Sequence, residues 1–362
     1  MNDLLYQIAL TKIPSIGAVT AKNLISYCGG TKAVFHASKK ELLRIPGIGA
    51  VTAEKILNQS VFEAAEAELD FIKKHDIQTF FYLDEGYPTR LTYYNDSPAL
   101  LYYKGSASLN NARVLAIVGT RKPTPQGVAL CQEIVEGLKP YNVIIISGLA
   151  YGIDVTAHRT CVESGIETIG VMGTGMGSIY PAQHRQMAER MAVHGGLLTE
   201  YSHQMGPDRE HFPARNRIIA GLCDALLVVE TERKGGSMIS AYKALDYHKE
   251  VFAVPGRIKD RYSTGCNFLI RTNRAALVES AEQIAQEMNW EASDMVKQPT
   301  LFQSFTPEEQ QIVDTLRNKD QIGLDELSYT VAIPTHQLAG LLLELELRNV
   351  LKALPGKRYM LL

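Results

Sequence analysis

The sequence predicts an α/β protein whose central domain is a doubly wound, mostly parallel sheet, and three observations carry that prediction. Between Val114 and Gly256, short β-branched runs alternate with helical segments, and most runs stop at a glycine. The stretch Asn142–Arg159, NVIIISGLAYGIDVTAHR, holds the unit in its clearest form: a strand apolar enough to be buried on both faces, a turn at Ser147-Gly148 with Gly152, and a helix start at Asp154. Outside this block, an internal repeat at one end and short helices with a hairpin at the other mark two smaller domains.

With 362 residues, 46% of them hydrophobic, the chain can bury a large core. The expected division is a helical domain at 1–60, the α/β domain at 61–290, a linker at 291–305 and a C-terminal domain at 306–362. Five scattered cysteines lack metal spacing, and there is no signal peptide or long apolar span. A cytoplasmic protein without disulfides, structural zinc, cofactor or membrane association is the expectation. A net charge of −2 excludes a bulk polycation, so nucleic acid would have to be held by local basic clusters and loop amides.

In chain order, residues 13–25 (IPSIGAVTAKNLI) and 45–57 (IPGIGAVTAEKIL) match at an offset of 32 residues. Each copy sets Pro and Gly between two helical patterns, the form of a helix-hairpin-helix, whose amides can meet a DNA phosphate. Seven Lys/Arg against three Asp/Glu in residues 1–59 agree with DNA, while a helical bundle for protein contact fits the same pattern. A helix is expected at 61–69 and strands at 77–83 and 100–103, with the tyrosines between them read as core and edge positions rather than as a base-stacking platform. Strands then follow at 114–118, 143–146, 168–172, 196–199, 226–229 and 250–254. Thr306-Pro307-Glu308-Glu309 opens a helix with a capping box, and two further helices and a terminal hairpin suggest a winged helix. Its would-be recognition helix, THQLAGLLLELELR, has only Arg348 as a base, which favours packing or protein contact over duplex readout.

In an open parallel sheet, ligands bind beyond the carboxyl ends of the strands, and the glycine-rich turns fall on that edge. Gly119, Thr120, Arg121 and Lys122 set two cations beside a strand-end glycine; Ser147 and Gly148 end the next strand, and Gly173, Gly175 and Gly177 the third. Arg215 and Arg217 flank Asn216 at a helix start, with Arg209 and His211 upstream; cations there cost the helix dipole unless an anion is present. Lys234 and Ser237, around Gly235-Gly236, form another amide cradle. Asp154 and His158 could pass for an acid/base or metal pair; Asp154 is read as the N-cap of its helix and His158 as hydrogen-bonded near the helix face.

At these residues the chain resembles the DNA processing protein A family, also called Smf. The matching segments are VGTRKPTPQG (118–127), SGLAYGIDVTAH (147–158), GTGMGSIYP (173–181), FPARNRIIAGL (212–222), KGGSMISAYKAL (234–245), VFAVPG (251–256) and STGCNFLI (263–270). The resemblance implies an extended Rossmann-like fold with a helix-hairpin-helix (SAM-like) domain before it and a winged helix after it. It also implies single-stranded DNA binding, a homodimer, loading of the RecA recombinase in natural transformation, and no catalytic reaction. By position, it assigns DNA contacts to Arg121, Ser147, Gly148, the Gly173–Gly177 loop, Arg215 and Arg217, with Lys234 and Ser237 beside them. Met176-Gly177-Ser178 departs from the family, which often has an acid after the glycines of the third loop.

Three other readings remain. A dinucleotide enzyme would carry G-x-G-x-x-G after the first strand and an acid after the second, where this chain has GTRKPTPQG and Ser147-Gly148. A nucleoside-monophosphate phosphoribohydrolase of the lysine-decarboxylase-like type resembles KGGSMISA, yet its glutamate is missing. The third possibility is a DNA-independent scaffold.

Overall fold

The computed structural model describes residues 3–292, 305–317, 319, 321–348, 350–354 and 356–361. Contacts divide the chain into two compact units, Met1–Ser293 and Asp294–Leu362. Most of the expected linker at 291–305 lies outside the described residues.

The larger unit is built on nine strands: β1 (Gln78–Phe81), β2 (Leu100–Gly105), β3 (Val114–Val118), β4 (Ile144–Ser147), β5 (Thr168–Val171), β6 (Gly195–Thr199), β7 (Ala225–Val228), β8 (Glu250–Ala253) and β9 (Ala276–Leu277). They form one sheet in the order β1-β2-β6-β5-β4-β3-β7-β8-β9. Pairing is antiparallel at β1/β2 and β2/β6 and parallel from β6 through β9. The two-residue edge strand β9 escaped the sequence reading because it is too short to carry a period, and both of its residues are exposed.

Alternation along β3 explains why the sheet is covered on both sides. Val114, Ala116 and Val118 pack on one face with Ile218, Ile219 and Met238, from helices His211–Leu222 and Gly236–Asp246. Leu115 and Ile117 pack on the other with Cys131, Ile134, Ile153 and Ala157, from helices Pro125–Gly137 and Ile153–Ser164. The chain steps outward from β3 through β4 and β5 to β6, then returns to set β7 on the other side of β3. That reversal opens a crevice above the carboxyl ends of β3 and β7.

The repeat forms two helical hairpins, between helices Asp3–Lys12 and Ala18–Cys28 and between Lys39–Leu42 and Ala50–Asn58. Equivalent positions are buried in both copies: Ile13 with Ile45, Ile16 with Ile48, Ala21 with Ala53, Leu24 with Ile56. The left-handed turn residue is Gly47 in the second copy (φ 85°) and Ser15 in the first (φ 75°), where a side chain must be accommodated. The hairpins share a core with Phe81, Leu100 and Tyr102, so they are packed against the β1–β2 end of the sheet. Tyr87, Tyr102 and Tyr103 are core residues, as the alternation predicts.

The second unit has helices Pro307–Arg317, Leu324–Val331 and Thr335–Leu347, with β10 (Ile322–Gly323), β11 (Leu351–Leu354) and β12 (Arg358–Leu361) ordered β10-β12-β11. It is a winged helix. The capping box closes as expected: Glu309 N donates to Thr306 Oγ1 at 3.3 Å, and Thr306 N donates to Glu309 Oε2 at 2.9 Å. Leu338, Leu342 and Leu345 are spent on its core, and Arg348 is ion-paired with Glu309.

Candidate nucleic-acid interface

The loop after β3 is pinned to the end of β7. Thr120 N donates to Glu230 O at 2.6 Å, while Thr124 donates to the Glu230 carboxylate from its backbone N (2.9 Å) and from Oγ1 (2.6 Å). Thr124 Oγ1 also accepts from Gly127 N, capping the next helix. This leaves Arg121 and Lys122 exposed above the crevice. The loop after β4 lies against it: a Cβ on Gly152 (φ 81°) would sit 2.2 Å from Thr120 O, so only glycine permits the approach.

Directly beneath, the predicted residues serve the scaffold. Ser147 is fully buried and its hydroxyl donates to Ile117 O at 2.6 Å. Over Gly148, where a Cβ would be, lie the Arg215 guanidinium and the Asp154 carboxylate. Arg215 is 4% exposed; it donates to Gly148 O at 2.8 Å, to Val171 O, and to Asn216 Oδ1 at 3.1 Å. Burial lowers its pKa to about 10, which leaves it charged at neutral pH. Burial likewise pushes the Asp154 carboxyl up, opposed by Arg215 and by hydrogen bonds from Ala150, Ser147 and Gly148. Arg217 is held by Glu200 at 2.6 Å. The counter-charge that the sequence reading sought in a phosphate is supplied to Arg217 from within the chain by Glu200, while Arg215 is held by the carbonyls of Gly148 and Val171 with Asp154 beside it. Arg215 is buried at the cleft floor, and Arg217 is largely covered.

One assignment is corrected here. Gly152, not Asp154, is the N-cap, and Asp154 is the second residue of the helix, its carboxylate turned inward. His158 is fully buried, with Nδ1 2.7 Å from Thr168 Oγ1; burial, aided by His184 and Arg215, lowers its pKa to about 3, so it is neutral. Among the described residues, no group of three His, Cys, Asp or Glu side chains gathers for a metal.

The glycines after β5 serve close packing. Cβ atoms on Gly173, Gly175 and Gly177 would meet the Phe212 ring, Ser202 O and His203 O respectively, and Gly175 N donates to Met205 O at 2.8 Å. That contact folds the 202–205 segment back over the sheet edge, and Arg209 follows at the crevice rim. In the loop after β7, Ser237 is buried and donates to Thr231 Oγ1 at 2.7 Å, whereas Lys234 is exposed.

The result is a cleft of about 790 Å³ on the carboxyl edge, rimmed by Arg121, Lys122, Arg209 and Lys234. Among the described residues none of these four has a carboxylate within ion-pair distance, while Arg261, on the same rim, pairs with Glu232 at 2.7 Å. Tyr180 and Phe212 line one wall, with ring centroids 5.4 Å apart. Of the predicted residues, the fold brings Gly119, Thr120, Arg121, Lys122, Lys234, Ser237, Arg215 and Asn216 to this cleft. Ser147, Gly148, Gly173 and Gly175 lie buried below the surface, and Arg217 faces a different, smaller pocket with Asp96 and Lys243. Arg209 could be seen beside the arginine pair in the sequence, but only the backward fold onto Gly175 turns it into a rim residue.

The comparisons agree with this architecture. The model of DNA recombination-mediator protein A matches residues 78–289, a SAM-like helix-hairpin-helix tandem matches 8–60, and the DprA winged helix domain matches 292–357. The DNA processing protein DprA of Streptococcus pneumoniae is 38% identical over 59% of this chain and 74% of its own length. Protein Smf of Escherichia coli is 33% identical over 75% of this chain and 74% of its own. A solved S. pneumoniae DprA structure superposes with a TM-score of 0.69 at 30% identity, covering 79% of this chain and 98% of that one. A second, from Helicobacter pylori and described for its single-stranded DNA binding mode, gives 0.54 at 28% identity over 59% and 95%.

Proposed function

This chain belongs to the DNA recombination-mediator protein A family, and on that premise we propose that it binds single-stranded DNA without regard to sequence, protects incoming DNA, and loads a RecA recombinase onto it in natural transformation, acting as a homodimer. One observation supports the DNA reading above all: four cations on the rim of one cleft, Arg121, Lys122, Arg209 and Lys234, with no carboxylate partner among the described residues. Unpaired cations around a crevice attract a polyanion, and the amides of Gly119 and Gly236 add donors for its phosphates. Tyr180 and Phe212 beside them offer faces to unpaired bases, which a duplex keeps stacked inside. Ser147, Gly148, Gly173, Gly175, Arg215, Asn216 and Ser237 then act by shaping the rim. Recombinase loading and the homodimer rest on the family.

The test is binding of oligo-dT against duplex at two salt concentrations. The expected result is a preference for the single strand, with a salt slope near 3 for four phosphate contacts, at about 0.7 per contact. An unchanged affinity for oligo-dT after Arg121→Ala with Arg209→Ala sinks the cleft as the site. Recombinase loading is read separately, as RecA ATPase on single strands precoated with a binding protein; no stimulation by this chain removes that part.

A further inference from the structure

Outside the cleft, three arginines converge on one aromatic ring. Phe268, in helix Thr264–Arg271, is half-buried against the core, and the Arg233 guanidinium carbon lies 4.2 Å from its ring centroid. Arg271 and Arg274 each stand 5.8 Å from the same centroid, and Arg274 also lies 5.5 Å from that of Tyr242. All three arginines are exposed. Among the described residues none of the three has a carboxylate within 4 Å; the acid beside Arg233 in sequence, Glu232, is taken by Arg261 at 2.7 Å.

Like charges brought together repel, and the electron-rich ring face offsets only part of that cost. In a chain of net charge −2, three cations gathered without a counter-charge make a site for an external anion of several charges. Planar guanidinium groups match phosphate oxygens two at a time, which an isolated ammonium cannot do.

We propose that the Arg233–Arg271–Arg274 cluster around Phe268 is a second phosphodiester-binding site, which takes the single strand where it leaves the cleft. This rests on the reading of the cleft given above. Continuity favours a nucleic-acid backbone over an acidic protein. Arg233 adjoins Lys234 of the cleft rim, about 3.8 Å along the chain from Cα to Cα. Tyr242, under Arg274, stands one helical turn from Ile239, which lines the cleft. A strand passing Lys234 therefore meets Arg233 next, then the face of Tyr242 and Phe268. The cluster binds backbone charge and adds length to the footprint without adding sequence preference.

The experiment compares the full chain with the triple variant Arg233→Ala, Arg271→Ala, Arg274→Ala on two probes. One is an oligo-dT of about six nucleotides, short enough to be filled by the cleft, and the other an oligo-dT of about twenty, longer than a single-fold footprint. The expected result is equal affinity for the short probe, a loss of about tenfold or more on the long one, and a salt slope on the long probe lower by about 2. Arg→Lys at the three positions should restore most of the slope, because charge is kept. If the unsubstituted chain fails to bind the short probe, the cleft reading itself fails. If it binds, and the triple variant matches it on both probes and in salt slope, the cluster is not a DNA site, an acidic protein being then its remaining partner.

Discussion

The N-terminal hairpins and the carboxyl rim of the sheet both offer glycine turns and a local excess of cations, yet the fold spends those cations differently. In the hairpins, Lys12 is bound by the buried Glu68 at 2.9 Å and Lys22 donates to Ser97 Oγ at 2.7 Å. Lys55 reaches across to Ser15 Oγ of the other hairpin at 3.2 Å, and Lys39 pairs with Glu54 at 2.7 Å. Four of the seven bases that made this region look like a DNA module hold it together instead, and the exposed hairpin residues Val19 and Val51 are apolar in both copies. Beneath and beside the rim, Arg215 and Arg217 are held in the same way, but among the described residues Arg121, Lys122, Arg209 and Lys234 are not. Local net charge therefore locates nothing by itself. What distinguishes an interface is charge that the fold gathers and then leaves unpaired.

The comparison breaks most visibly at Arg215. Its removal leaves the buried carbonyls of Gly148 and Val171 without their donor and takes the opposing charge from Asp154, so Arg215→Ala should lower unfolding stability by about 3–5 kcal/mol, read as a shift in the urea midpoint. A stable, non-binding Arg215→Ala would place this arginine among the DNA contacts after all. Next in size, Arg121→Ala, Arg209→Ala and Lys234→Ala together should cost about fiftyfold in oligo-dT affinity at 0.15 M salt, with an unaltered urea midpoint.

Acidification tests the buried floor independently of DNA. His158 is neutral in the folded chain, its pKa lowered to about 3 from 6.5, so below pH 6.5 the unfolded chain binds more protons and stability falls as pH falls. The expected loss between pH 6.5 and 5.0 is about 2 kcal/mol, and replacing His158 with a non-titrating residue should flatten that slope; equal slopes would mean that another group controls it. The smallest effect belongs to the hairpins. Lys40→Ala with Arg44→Ala, both exposed, should change oligo-dT affinity less than about twofold at 0.15 M salt. A loss as large as that of the rim triple would erase the contrast between the two regions.

Much of the fold can be read from residues alone, because strands and helices are local patterns. The β-branched runs, the repeat at 32 residues and the Thr306–Glu309 capping box each specify an element within a few residues of itself. The carboxyl edge is legible too, since parallel strands joined by helices put their following turns on one side. Chemical roles within that edge are not. Gly175 and Ser147 look like phosphate-binding turn residues, and only the packing of Ser202 and the carbonyl of Ile117 reveals what they do.

The sequence by itself determined the main strands and helices, their order, and the rim on which a ligand would lie. Only the tertiary structure decided which cations are available there, because whether Arg215 meets the Val171 carbonyl, Arg217 meets Glu200, or Arg209 meets solvent depends on residues brought together from distant parts of the chain. Ion pairing acts over a few ångströms in space. A sequence records neighbours along the chain and leaves those distances unwritten.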